Sequence, residues 1–393
     1  MMTMALISLS ALHSASAHAT SGTNDGAAEI TTGSQSAVVD QTVTWMKKHV
    51  ALTANQIESI VKSAAALHPR ADTMSETALA DELNKLLTES QISGIQILNR
   101  HDPMYWLYRE RFGLTGPQVP PQLPAWLTRR GRNWHVWAAA TPQQTAGSKT
   151  LTRGDEVIFP AGEPFAFATG SDGKTANAAA AQTLSVQIKS LAHEKAETRS
   201  VPLTLKSTGQ LLTDIVRTNA RRIPLNESGS RNVAYLPLPG TDLPALRETY
   251  TTLMDGFATA ADALIVDLRG PYGEGGLSGV DLFLSEKGER LHFKKNLYVL
   301  VDRYTAGGRE ALAAMLQRHA GAVLIGETTA GISAPVEVAD LDQGRFLLVA
   351  TQDEKESFGP LKPDHQVPDT LAYVAGRDDV LTRALAVAKA DLR

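Results

Sequence analysis

The sequence predicts a multidomain α/β protein, and three observations carry that expectation. Residues 263 to 332 hold three short apolar runs, Ala263 to Arg269, Asn296 to Asp302 and Gly321 to Glu327, each ending at a turn. They are rich in Val, Leu and Ile and lack apolar/polar alternation, as expected of strands buried on both faces of a mainly parallel sheet. Residues 37 to 112 instead place Ile and Leu at helical spacing, which marks helices with one buried face. Finally, Pro117, Pro120, Pro121 and Pro124 crowd residues 115 to 125; no helix tolerates that density, so the stretch reads as a linker.

Composition bounds the possible functions. The chain has 393 residues, 43% of them hydrophobic, enough length for two or three domains and enough apolar surface for a sizeable core. A net charge of −4 gives no basic field for nucleic acid or an anionic membrane, so neither is expected as a partner. Without cysteine there can be no disulfide, thiolate metal site or cysteine nucleophile. No metal or other cofactor is expected, since His101-Asp102 and Asp364-His365 are isolated pairs without a helix-spaced partner.

The first 19 residues predict an export signal. Met1 to Leu12 is apolar and is followed by Ala15, Ala17 and Ala19, small residues spaced like a signal-peptidase site, although a basic n-region is missing. The expected location is periplasmic or secreted. No later run reaches the ~18 to 20 apolar residues of a transmembrane helix. Residues 20 to 36, with Ser21 to Gly26 and Thr31 to Ser36, are small, polar and unpatterned, and read as a flexible leader.

Residues 37 to 114 form the helical N-terminal region. Thr53 is the expected N-cap of a helix from Ala54 to Leu67 that ends at His68-Pro69, and Ser75 caps a second helix carrying Leu79, Leu83, Leu86 and Leu87. Residues 126 to 175 are β-rich, with Trp126, Trp134 and Trp137 close together, and Gly154-Asp155-Glu156 suits a tight turn before Val157 and Ile158. Residues 176 to 393 make the core. There Ile223 to Leu225 and Asn232 to Leu238 read as strands, and Leu246, Tyr250, Leu253, Met254 and Phe257 as a helix. Thr305 to His319 reads as a turn entering a helix from about Gly308. Hydrolases mount nucleophiles on such turns, because the helix start offers unpaired N–H groups and a positive dipole end.

The order of motifs in this core resembles that of the tail-specific (C-terminal processing) serine peptidases. Asp267-Leu-Arg-Gly270 is followed by Gly273 and Gly275-Gly276, a Thr305-x-Gly-Gly-x-Glu310 turn, and Gly326-Glu-Thr-Thr-Ala-Gly331. Gly359-Pro-Leu-Lys-Pro-Asp364 and Asp378 to Leu385 match the family's closing segments. The interphotoreceptor-retinoid-binding-protein-like branch is the most similar. The resemblance implies a core of ββα-superhelix type, related to the Clp-protease and crotonase folds, and polypeptide segments or C-termini as partners. It also likens Leu151 to Ile158, with Gly162-Glu-Pro164, to part of a PDZ-like module that guides peptide ends.

The same resemblance locates departures. Aligning Glu310 with the family's Glu places Gly307 at the nucleophile position; Ile332 stands just after the second Gly-containing turn, where some branches have a dyad Lys, and Ile92 follows the helix ending near Leu87, where others have an N-terminal His. The expectation is a degenerate peptidase with no catalytic residue, retaining at most a peptide-binding cleft built from Gly273, Gly307 and Gly308, the first matching an oxyanion-hole amide. Glycine at 307 equally suits a strained turn that merely outlived its serine. Pro271 replaces the usual Asn of this loop and removes a donor. Two alternatives stand beside this. Thr305, Ser278 or Ser333 can serve as a relocated nucleophile if His292, His319 or His365 lies within reach. An apolar-ligand carrier, retinoid- or lipid-like, is the other, with the Trp cluster as its only support.

Overall fold

The computed structural model describes residues 34–92, 94–114, 119–130, 133–140, 151–160, 164, 183–190, 195–240, 243–270, 279–285, 288–289, 293–331, 336–351, 360–368 and 378–392. It is a mixed α/β fold with N-terminal helices and several sheets.

Three helices open the described chain: α1 (Gln35–His49), α2 (Ala54–Ala71) and α3 (Glu76–Glu89). Thr53 forms a reciprocal capping box with Gln56, and Ser75 accepts from Ala78 N, so both N-caps fall where the sequence places them. Helix α2 does not stop at His68-Pro69 but runs to Ala71 with Pro69 inside its last turn.

The helices pack on a sheet that helical periodicity alone does not reveal. Strand β1 (Ile95–Asn99) is followed by α4 (Pro103–Arg111), and β1 pairs antiparallel with a strand from far along the chain, β13 (Phe346–Thr351), which in turn pairs with β12 (Val336–Leu341). One hydrophobic cluster joins Leu79, Leu83, Leu86, Leu87 and Ile92 to Leu341, Phe346 and Leu348. The β12–β13 hairpin therefore contributes Leu341, Phe346, Leu348 and Ala350 to the N-terminal core.

The middle of the chain is a five-stranded antiparallel sheet ordered β2 (Ala125–Arg130), β3 (Asn133–Ala139), β4 (Glu156–Ile158), β5 (Thr183–Lys189) and β6 (Glu197–Pro202). It extends to residue 202. Trp126, Trp134 and Trp137 are all buried core residues.

The six-stranded sheet that follows carries the candidate site. After α5 (Thr208–Asn219) come β7 (Arg221–Pro224), β8 (Asn232–Pro237), α6 (Pro244–Thr252), β9 (Ala263–Asp267), β10 (Asn296–Val301), α7 (Gly308–Ala320), β11 (Val323–Gly326), β14 (His365–Gln366) and α8 (Asp379–Asp391). The sheet order is β14-β11-β10-β9-β8-β7, parallel from β14 to β8. The expected strand, strand, helix, strand succession over 263–326 is present in one sheet, with α7 starting at Gly308. Leu264, Val266, Val299 and Val301 face the cluster that includes Leu312 and Leu316 of α7. Ile265, Tyr298 and Leu300 face Val380, Leu381 and Ala384 of α8. Alternate residues thus go to opposite layers, and covering both faces explains the unbroken apolar runs.

Candidate functional site

Because β9, β10, β11 and β14 are parallel, their carboxyl ends lie at one edge of the sheet, where open α/β folds place ligands. Three turns meet there: Leu268 to Gly270 after β9, Asp302 to Gly307 after β10, and Glu327 to Gly331 after β11. Ala330 N donates to Thr305 O at 3.1 Å, which joins the second turn to the third. Asp302 joins the second to the first. Its Oδ2 accepts Gly270 N at 2.9 Å, and its Oδ1 accepts Tyr304 N at 3.0 Å.

Gly307 occupies the N-cap of α7 with φ 61° and ψ −140°. A side-chain-bearing residue reaches that conformation only under strain, which is how hydrolase elbows hold their nucleophiles. Glycine adopts it without that strain and carries no side chain. Gly308 is buried as the first residue of α7. Gly273, the third expected member of the cleft, lies outside the described residues, as do Pro271, Ile332, Ser278, Ser333 and His292; the leader and the export signal up to residue 33 lie outside them too.

Thr305 is fully buried. Its Oγ1 accepts Asp302 N at 2.9 Å and sits 3.0 Å from Asp302 Oδ1 and 3.1 Å from Leu268 O, either of which can take its proton. The hydroxyl is committed to holding the turn rather than presented to a ligand. Three of the described histidines have neighbours in other elements. His319 lies against Gly288, His365 Nδ1 is 3.2 Å from Arg383 Nη2, and His101 Nε2 is 3.5 Å from Glu76 Oε2. Ile92 belongs to the N-terminal hydrophobic core.

Sequence reasoning missed the buried charges around these turns. Glu310, completely buried in α7, accepts Gly331 N at 2.8 Å and the Thr329 hydroxyl; Thr329 Oγ1 in turn accepts Leu361 N at 2.7 Å. Arg309 is equally buried and donates to the carbonyls of Arg269, at 3.0 Å, and Gly270. Arg269 binds Asp267 (Nε–Oδ1 2.9 Å, Nη2–Oδ2 2.7 Å) and Asp378 (Nη1–Oδ1 3.0 Å, Nη2–Oδ2 2.6 Å), and Tyr235 donates its hydroxyl to Asp267 at 2.7 Å. Burial pushes the Asp267 and Asp378 carboxyls up, but the Arg269 guanidinium outweighs it and holds both below the usual carboxylate range. Burial, reinforced by the Asp267 charge, pushes the Tyr235 phenol well above its ordinary value. The only sequence signal for these roles is the Asp267-Leu-Arg269 spacing itself.

An open pocket at the same edge is lined by Arg303, Glu327, Thr328, Gln366 and Pro368. Arg303 pairs side-on with Glu327 across it, with Nε 3.0 Å from Oε2. Among the described residues no group of three or more His, Asp or Glu can hold a metal ion, and no helix is long and apolar enough to cross a membrane.

The peptidase family S41 model matches residues 278–357. Among solved structures the chain is similar to the photosystem II D1 C-terminal processing protease, at 17% identity over 88% of this chain and 99% of that one, with a TM-score of 0.45. Mature CPAF is similar at 11% identity over 90% and 96% (TM-score 0.44), and the tricorn protease at 11% over 90% and 36% (TM-score 0.47). No curated protein matches the chain significantly. The family match covers residues 278–357, which lie within the ordered motifs from Asp267 to Asp378.

Proposed function

We propose that this chain is an exported S41 homologue that binds polypeptide segments or C-termini without cleaving them. One observation carries the proposal: the residue at the head of α7 is Gly307, which has no hydroxyl to acylate. Thr305, two residues away, is buried and occupied by Asp302 and Leu268, which removes support from a relocated nucleophile at that position. A serine or threonine hydroxyl also needs a base within hydrogen-bond reach, and His101, His319 and His365 each engage a different part of the fold. The cleft would be formed by Gly307 and Gly308 with the Gly273 loop. Its place at the carboxyl ends of parallel strands suits a ligand site.

The test is exposure of the purified mature chain to a fluorophosphonate probe, together with titration of fluorescent peptides bearing free C-termini. Peptide binding without a covalent adduct is the expected result. A stoichiometric adduct lost in Thr305→Ala or Ser333→Ala would replace this proposal with an active hydrolase. An apolar molecule that co-purifies and saturates the chain, without peptide affinity, would replace it with a carrier.

A further inference from the structure

Arginine is almost never fully buried unless its charge and its N–H groups are engaged. Arg309 is fully buried at the second position of α7, and it reaches across to the turn after β9 to donate to the carbonyls of Arg269 and Gly270. Gly270 is held from two further sides. Its N–H goes to Asp302 Oδ2 at 2.9 Å, and its φ of +109° turns the Cα toward the Trp137 indole so closely that a Cβ would lie 2.9 Å from Nε1. The neighbouring amides are committed as well, Leu268 N to Leu300 O at 2.9 Å and Arg269 N to Asp267 Oδ1 at 3.1 Å. Residues 269 and 270 therefore turn acceptors toward the start of α7, while the donors of residues 268 to 270 point into the core. A loop poised to stabilise an anion presents the opposite pattern, N–H groups directed at the ligand.

We propose that Arg309 is an internal latch: its guanidinium occupies the space between α7 and the 268–270 turn, fixes those carbonyls inward, and fills a site that would otherwise accept a free guanidinium-class cation. This goes beyond peptide binding and does not depend on it. The recognition chemistry is complementary, since two adjacent carbonyl oxygens match the fork of donors on a planar cation. A side chain that only filled volume would not require that fork.

The experiment is hydrogen exchange of the full chain, followed in peptic fragments that cover 263–270, for wild type and Arg309→Ala. Truncation should speed exchange of this segment about tenfold, because the turn opens locally once its carbonyls lose their donor. Addition of roughly 10 mM guanidinium chloride, well below denaturing levels, should slow it again in the variant and leave wild type unchanged, while matched sodium chloride does neither. Wild-type exchange in Arg309→Ala, or fast exchange indifferent to guanidinium, would overturn the latch. Should Arg309→Ala fail to fold, Arg309→Met keeps the apolar stem and removes every donor. Exchange about tenfold faster in that variant supports the latch, and exchange at the wild-type rate overturns it. No peptide ligand enters the test, so failure of the latch and failure of peptide binding are separate results.

Discussion

Glu310 accepts the backbone N–H of Gly331 at 2.8 Å from inside the core, tying the first turn of α7 to the turn that follows β11. The same carboxylate takes the Thr329 hydroxyl, and Thr329 holds Leu361 at the entry to β14. Thr329 N also donates to Leu361 O at 3.1 Å, and a Cβ on Gly331 would touch Pro360 at 3.3 Å. Residues 329–331 and 360–361, which bracket the β12–β13 hairpin, are therefore pinned together at its root. Glu310 anchors that root.

Glu310→Ala should lower stability by about 2 to 3 kcal/mol, because it leaves the part-buried Gly331 N–H and the buried Thr329 hydroxyl without their acceptor. Glu310→Gln keeps one carbonyl oxygen and should lose less. Urea unfolding midpoints of the three proteins check this, and an alanine variant as stable as wild type would remove Glu310 from that role.

Gly307→Ser should not create a peptidase. The serine would sit at φ 61° and ψ −140°, at a strain cost of about 1 to 3 kcal/mol, beside a turn whose amides already serve Asp302 and Asp267. The expected outcome is a lower melting temperature and no release of fluorophore from a quenched C-terminal peptide. Robust turnover by this single variant would mean that a base does stand within reach of residue 307.

Stability should fall in acid through the Asp267–Arg269–Asp378 cluster. Both carboxyls have folded pKa values below the ordinary carboxylate value, so folding favours their ionised form. That contribution is complete above the unfolded pKa of about 4 and is lost progressively as pH drops below it toward the folded values. Asp378→Asn removes one of the two carboxylates and should be less stable at pH 7, by about 3 kcal/mol, the usual cost of breaking a buried ion pair. Its stability should also vary less between roughly pH 2 and 5 than that of wild type. Denaturant midpoints measured across this range decide, and parallel curves for the two proteins would exclude the cluster as the source of acid sensitivity.

The sequence made the parallel sheet legible because Ala263 to Asp267, Asn296 to Val301 and Val323 to Gly326 are buried on both faces, and burial on both faces leaves an uninterrupted apolar run. It did not reveal β1, five residues inside a region dominated by helical periodicity, since the partner register Ile95 with Ala350 spans some two hundred and fifty positions and has no local signature. Arg309 and Glu310 were hidden for another reason. Charged residues in the first turn of a helix ordinarily face solvent, and only the approach of the 268–270 and 329–331 turns to α7 buries them. The proposal for Gly307 rests on a missing side chain, which the sequence shows directly.

Phe346 gives the clearest test of how the N-terminal helices are held. It is fully buried at the start of β13, in one cluster with Leu79, Leu83 and Leu87 of α3 and with Ile97 of β1. Its backbone pairs with Asn99 on one side and Leu341 on the other. Truncating a buried phenylalanine typically costs about 3 to 5 kcal/mol, through lost transfer energy and the cavity left behind. In Phe346→Ala that loss should fall on the layer formed by α1, α2, α3 and β1, although the substitution lies in the C-terminal half of the chain. Hydrogen exchange should accelerate across residues 35–99 while β9 and β10, which pack in separate clusters with α7 and α8, keep wild-type protection. Acceleration spread evenly over both regions would show that the two layers unfold as one unit, and unchanged exchange in 35–99 would show that the hairpin contributes nothing to holding the helices.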